Sequence, residues 1–176
     1  MISKTNIFLI GPMGSGKTTV GKALAKALNL SFVDSDAEVE RRTGVDIAFI
    51  FEKEGEAGFR QREREVIADL TQRADIVLAT GGGAVLDADN RRNLIERGCV
   101  VYLETTVTQQ LERTRHGKHR PLLETEDPRA RLEDLLRVRE PLYREIADIA
   151  VCTDGRRVQL LADEVLRLLG ERSKAG

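Results

Sequence analysis

Short, unbroken apolar runs stand at Ile7–Ile10, Phe32–Val33, Ile76–Ala79, Val100–Leu103 and Ile149–Cys152. Runs of this length with no polar alternation predict strands buried on both faces, as in a parallel sheet. Between them, apolar residues return at helical spacing. Val20, Ala23, Leu24, Ala27 and Leu28 predict the inner face of a helix after the first strand. Phe59, Glu63, Val66, Ile67 and Leu70 predict a second such face, on which only Glu63 is polar; Val158, Leu161, Val165 and Leu168 predict a third. The βαβα order implies a three-layer α/β/α fold in a single domain. Two stretches break the alternation. Residues 35–72, between the second and third strands, predict a helical insertion that holds a substrate. Residues 114–128, polar and basic with two prolines, predict a lid.

Composition narrows the setting. The chain has 176 residues, enough for one full core, and a net charge of −1. Near-neutral charge argues against a general nucleic-acid binder. No apolar stretch reaches membrane-span length and no leader precedes the first strand, which points to the cytoplasm. The only cysteines, Cys99 and Cys152, lie far apart outside any metal spacing and read as buried free thiols of a reducing compartment.

Chemistry enters directly after the first strand. Gly11-Pro12-Met13-Gly14-Ser15-Gly16-Lys17-Thr18 has the form G-x-x-x-x-G-K-[ST], preceded by a strand and followed by a helix, as this motif requires. Such a loop aims backbone N–H groups at phosphate oxygens, aided by the positive helix end. Gly14, Ser15, Gly16, Lys17, Thr18 and Thr19 are the nucleotide-binding candidates. Lys17 reaches the terminal phosphates and the Thr18 hydroxyl ligates magnesium.

Other candidates admit two readings each. Asp34-Ser35-Asp36 falls at the end of the second strand, the edge at which open α/β sheets bind ligands. One carboxylate there could accept a proton and the other hold magnesium through water; equally, Ser35-Asp36-Ala37-Glu38 has the form of a capping box. Arg60 is either an exposed helix arginine paired with Glu56 or a fork for a carboxylate. Gly81-Gly82-Gly83 after the third strand allows close backbone approach to a ligand. The segment from Arg113 to Leu123 is dense in positive charge, and an arginine within it could stabilise a transition state; His116 and His119 in it read as solvated. In Arg139-Glu140-Pro141-Leu142-Tyr143, Pro141 predicts a helix kink or end that could aim Arg139 into the cleft, or leave it on the surface.

The ordered set Gly11–Thr18, Asp34-Ser35-Asp36, Gly58-Phe59-Arg60, Gly81–Gly83, Arg120-Pro121-Leu122-Leu123 and Arg139–Tyr143 resembles the shikimate kinase family nearly end to end. The resemblance implies a nucleoside-monophosphate-kinase-like fold, a five-stranded parallel sheet of order 2-3-1-4-5. It implies ATP-dependent phosphorylation of the 3-hydroxyl of shikimate, with magnesium, in chorismate biosynthesis. It further implies that Arg60 and Arg139 clamp the shikimate carboxylate, that Asp36 and the Gly82 N–H meet its hydroxyls, and that Asp36 is the candidate base. Asp34 orients magnesium, Lys17 and Arg120 stabilise the transferring group, and Arg113 and Arg156 lie against adenine. A monomer is expected.

Two rivals remain. Another small-molecule kinase on this fold, for gluconate or a nucleoside monophosphate, is disfavoured by the triple glycine and by Arg139–Tyr143. A nucleotide switch of the GTPase kind would need N-K-x-D and D-x-x-G segments, and neither occurs.

Overall fold

The computed structural model describes residues 6–115 and 123–176. Five parallel strands, β1 (Ile7–Ile10), β2 (Ser31–Asp34), β3 (Ile76–Ala79), β4 (Cys99–Glu104) and β5 (Ile149–Cys152), form one sheet of order β2-β3-β1-β4-β5. The expected order is thus observed. Successive side chains of a strand point to opposite faces, and β1 shows how this builds three layers. Phe8 and Ile10 join one buried cluster with Phe59, Val66, Leu70, Tyr102 and Tyr143. Ile7 and Leu9 join another with Val20, Leu24, Leu161 and Val165. The second cluster is covered by α1 (Lys17–Leu28) and α7 (Val158–Ala175). The first is covered by α2 (Ser35–Thr43), α3 (Ile47–Leu70), α4 (Ala88–Arg97) and α6 (Pro128–Ile146), with α5 (Val107–Thr114) beyond the end of β4. Among the described residues no helix is long and apolar enough to cross a membrane.

The insertion between β2 and β3 is α2 followed by α3, and α3 is broken at Gly55 (φ 71°, ψ −177°). Arg60 therefore lies near the start of the second half of α3. The face of Phe59, Glu63, Val66, Ile67 and Leu70 is buried as predicted.

Several local expectations are corrected. In α1 the buried residues are Val20, Gly21, Leu24 and Ala25, whereas Ala27 and Leu28 are exposed, because the helix ends over the sheet margin. The outer strands β2 and β5 are not buried on both faces. Cys152 on the edge strand β5 is exposed, and only Cys99 is a buried thiol. The cap of α2 is not the expected box. Asp34 caps it by accepting from the Ala37 N–H (3.0 Å), which frees the Ser35 hydroxyl to accept from the Gly81 N–H (3.0 Å). Finally, α6 runs unbroken through Pro141. A helix-interior proline costs about 3 kcal/mol. Burial of the large side chains beyond it, Tyr143 and Ile146, contributes about 1.5–3 kcal/mol each, which offsets that cost.

Candidate active site

The site lies along the C-terminal edge of the sheet, where β1, β2 and β3 end side by side. Thr80 ties two of those ends together, since its N–H and its hydroxyl both donate to the Leu9 carbonyl (3.1 and 2.9 Å).

One half of the site, expected from the sequence to hold the phosphoryl donor, is the loop after β1. Gly16 caps α1 in the left-handed region (φ 92°), a conformation that glycine adopts without steric cost. The Lys17 ammonium folds back over the loop, donating to the carbonyls of Gly11 (2.7 Å) and Pro12 (2.9 Å). Ser15 is fully buried, and the Thr19 hydroxyl donates to the Gly16 carbonyl (3.1 Å). The Thr18 hydroxyl donates to Asp34 Oδ2 at 3.2 Å, so the two expected magnesium-site residues meet. Helix α5 braces the loop from outside. Gln110 Nε2 donates to the Met13 carbonyl (2.9 Å) and Arg113 Nη1 to that of Gly14 (2.8 Å). Arg113 also reaches the Thr153 carbonyl (3.2 Å), while Arg156 donates to that of Cys152 (3.3 Å) and pairs with Glu164. The two arginines expected near adenine thus converge on the end of β5.

The other half of the site gathers around the triple glycine. A Cβ on Gly81 would stand 2.7 Å from Asp36 Oδ1 and 2.8 Å from Glu63 Oε2, so this glycine makes room for two carboxylates. Both oxygens are shut off from solvent and have no hydrogen-bond partner. Burial, with Glu63 and Asp34 adding repulsion, pushes the Asp36 carboxyl up to about 7 against the pull of Lys17 and Arg60. Burial also raises the Glu63 carboxyl despite Arg60 beside it.

Arg60 is not the exposed arginine that pairing with Glu56 alone would give. Its side chain is 18% exposed and reaches both Glu63 (2.9 Å) and Glu56 (3.2 Å). Burial works against its charge, but Glu63 and Glu56 outweigh that and hold its pKa above the ordinary value. Arg139 is 4% exposed, so it is no surface arginine. It forms no ion pair with a carboxylate among the described residues, and burial, with Arg60 nearby, pulls its pKa down. Its guanidinium would lie 3.5 Å from a Cβ on Gly82, with the Met13 N–H group 3.4 Å from the same point. Arg139 and the donor loop thus meet at Gly82. The lid candidates from His116 to Leu122, Arg120 among them, lie outside the described residues.

A phosphate loop beside one buried and one half-buried guanidinium and a carboxylate pair is the layout of a small-molecule kinase. A family model described as shikimate kinase matches residues 13–170. The shikimate kinase of Methylococcus capsulatus is 65% identical over 153 residues, covering 87% of this chain and 86% of that one. The chain belongs to the shikimate kinase family. It is therefore a transferase that uses a nucleotide, and the switch reading falls. The shikimate kinase of Acinetobacter baumannii, solved in complex with shikimate, superposes with a TM-score of 0.94 at 52% identity, covering 97% of this chain and 95% of that one. A gluconokinase from Sinorhizobium meliloti has a TM-score of 0.63 at 18% identity, a likeness of fold alone.

Within this shikimate kinase fold the structure adds three residues to those read from the sequence. Glu63 pairs with Arg60, Tyr143 binds Gly82 through its hydroxyl (2.5 Å), and Gln110 holds Met13. Glu63 alone left a local signal, as the one polar residue on an otherwise apolar helical face.

Proposed function

We propose that this chain carries out the reaction for which its family is named, the ATP-dependent phosphorylation of the 3-hydroxyl of shikimate, and that the acceptor is held by Arg60, Arg139, Asp36 and Gly82. The observation that carries the assignment is Arg139. A guanidinium buried to 4% exposure and lacking a carboxylate partner is costly unless an anion completes it. The Arg60 guanidinium lies against Gly83 and that of Arg139 against Gly82, so the two cations stand at adjacent residues of one loop. A substrate carboxylate satisfies both, and the arginine fork suits it.

The remaining groups then have work to do. The N–H groups of Gly82 and Gly83 donate to nothing among the described residues, so that of Gly82 is open to a ring hydroxyl. Asp36, with an unpartnered Oδ1 and a carboxyl held near neutrality, accepts the proton of the attacking hydroxyl as its oxygen bonds to the γ-phosphorus and the bond to ADP breaks. Lys17 offsets charge on the transferring group, joined by Arg120 from the lid. Gly14, Ser15, Gly16, Thr18 and Thr19 cradle the triphosphate, and Arg113 and Arg156 flank the base. The Thr18 hydroxyl and the Asp34 carboxylate form a hard oxygen pair of the kind magnesium prefers, and they would hold it, Asp34 through water. Held there, the ion would supply positive charge to offset the charge that develops on the phosphates. We further propose a cytoplasmic monomer with residues 35–72 as the acceptor-binding insertion and about 114–128 as the lid.

The test is ADP release from ATP and magnesium with shikimate, gluconate or AMP as acceptor, with phosphorus NMR of the product. Turnover with shikimate alone and a phosphate at the 3-position is expected. Turnover with gluconate or AMP but not shikimate overturns the reading.

A further inference from the structure

Tyr143 is fully buried on α6, one turn beyond Arg139, and stacks on Tyr102 at 5.0 Å between ring centroids. A tyrosine that served only as core filling would be a phenylalanine, because a buried hydroxyl must find a partner. This hydroxyl donates to the Gly82 carbonyl at 2.5 Å, across 61 residues of chain. Arg139 Nη1 stands 3.5 Å from where a Cβ on Gly82 would lie, and Arg139 and Tyr143 line the same small cavity, so guanidinium and phenol meet at one glycine. One side chain therefore touches both the glycine and the arginine assigned to the acceptor.

The triple glycine shows why such a prop is needed. Its backbone carbonyls are all anchored: Gly81 accepts from Ala84 (3.0 Å), Gly83 from Leu86 (3.1 Å), and Gly82 from Tyr143. The first two anchors are local bonds of the 3-10 turn at Ala84–Leu86. Only the Gly82 carbonyl depends on a side chain from another element. Glycine gives this loop no side-chain restraint of its own, so without that bond the peptide at Gly82 is free to rotate.

We propose that Tyr143 is a positioning residue for the acceptor: its hydroxyl fixes the Gly82 peptide and seats the Arg139 guanidinium, so that the loop N–H and the carboxylate fork stand at a set separation. This rests on the reading that Gly82 and Arg139 hold the substrate. The role concerns shikimate and not ATP, because the Tyr143 hydroxyl binds the Gly82 carbonyl and, among the described residues, no hydrogen bond joins Tyr143 to the loop Gly11–Thr18.

The experiment is Tyr143→Phe, which keeps the ring, its stacking and its volume, compared with Arg139→Lys. Loss of one neutral hydrogen bond predicts a rise of about fivefold in KM for shikimate, with KM for ATP unchanged. Arg139→Lys raises the shikimate KM further, and the double variant shows less than the product of the two effects, since both act through one contact. If Tyr143→Phe lowers the melting temperature yet leaves the shikimate KM at the parent value while Arg139→Lys raises it, the hydroxyl is merely structural and the proposal fails. A parallel rise in both KM values is also fatal to it. If neither variant alters shikimate KM, the assignment of the acceptor site itself is at fault, and the proposal falls with it.

Discussion

Glu63 Oε1 accepts from Arg60 Nη1 at 2.9 Å, with the glutamate 1% exposed and the arginine 18% exposed. A buried ion pair of this kind is most sensitive to loss of one partner, because the other charge is left uncompensated. Glu63→Gln keeps the shape and one acceptor but removes the charge, leaving Arg60 with only the half-exposed Glu56. A loss of about 3 kcal/mol in stability is expected from chemical denaturation. Saturating shikimate restores negative charge to the cluster, so it raises the melting temperature of the variant by more than that of the parent. Equal ligand-induced shifts would count against a carboxylate bound at Arg60.

Asp36 gives a pH dependence with a definite sign. Its folded-state carboxyl is pushed up from 3.8 to about 7, first by burial and then by Glu63 and Asp34. Between those values the folded protein holds a proton that the unfolded chain releases, so this group destabilises the fold progressively as pH rises through that window. Asp36→Asn removes the penalty. Its melting temperature matches the parent near pH 4, exceeds it increasingly up to about pH 7, and keeps a constant excess above that. Phosphoryl transfer is severely reduced at every pH. A deficit at neutral pH that closed on acidification would show that the carboxyl is lowered rather than raised.

How much of this was legible beforehand depends on how far apart the partners lie in the chain. The strands and the phosphate loop were readable because each is written in a few consecutive residues: Ile7–Ile10 and Gly11–Thr18 need no distant information, whereas the strand order came only with the family resemblance. Arg60 and Arg139 were recognisable only as members of an ordered set; spacing alone left both equally readable as surface arginines. The hydroxyl of Tyr143 and the amide of Gln110 left no trace at all, since their partners Gly82 and Met13 lie 61 and 97 residues away. The misreadings at Pro141 and at the cap of α2 share one cause. Local rules predicted a kink or end at Pro141 and offered a Ser35 capping box, but α6 continues through Pro141 and the Gly81 N–H takes the Ser35 hydroxyl as its acceptor.

Gln110 supplies a third prediction. It is 2% exposed, one end donates to the Met13 carbonyl, and its Oε1 is buried without a partner. Gln110→Leu removes one good bond and one unsatisfied acceptor together, so the melting temperature changes little. What it does remove is the brace on the phosphate loop. A rise of about threefold to tenfold in KM for ATP is expected, with KM for shikimate nearly unchanged. Steady-state kinetics against each substrate reads the split, and the reverse pattern would assign Gln110 to the acceptor half.

The two hydrogen bonds that Thr80 donates to the Leu9 carbonyl have a consequence for the geometry of transfer. Donor loop and acceptor loop spring from neighbouring strands, β1 and β3, locked in register at their very ends. The gap between them is therefore ruled by the pitch of a parallel sheet, roughly 4.8 Å from strand to strand, and not by the reach of any flexible segment. The sheet acts as a fixed gauge block. On the proposed reading, the α2–α3 insertion and α6 would choose which hydroxyl is presented at that gap, while the sheet sets its width.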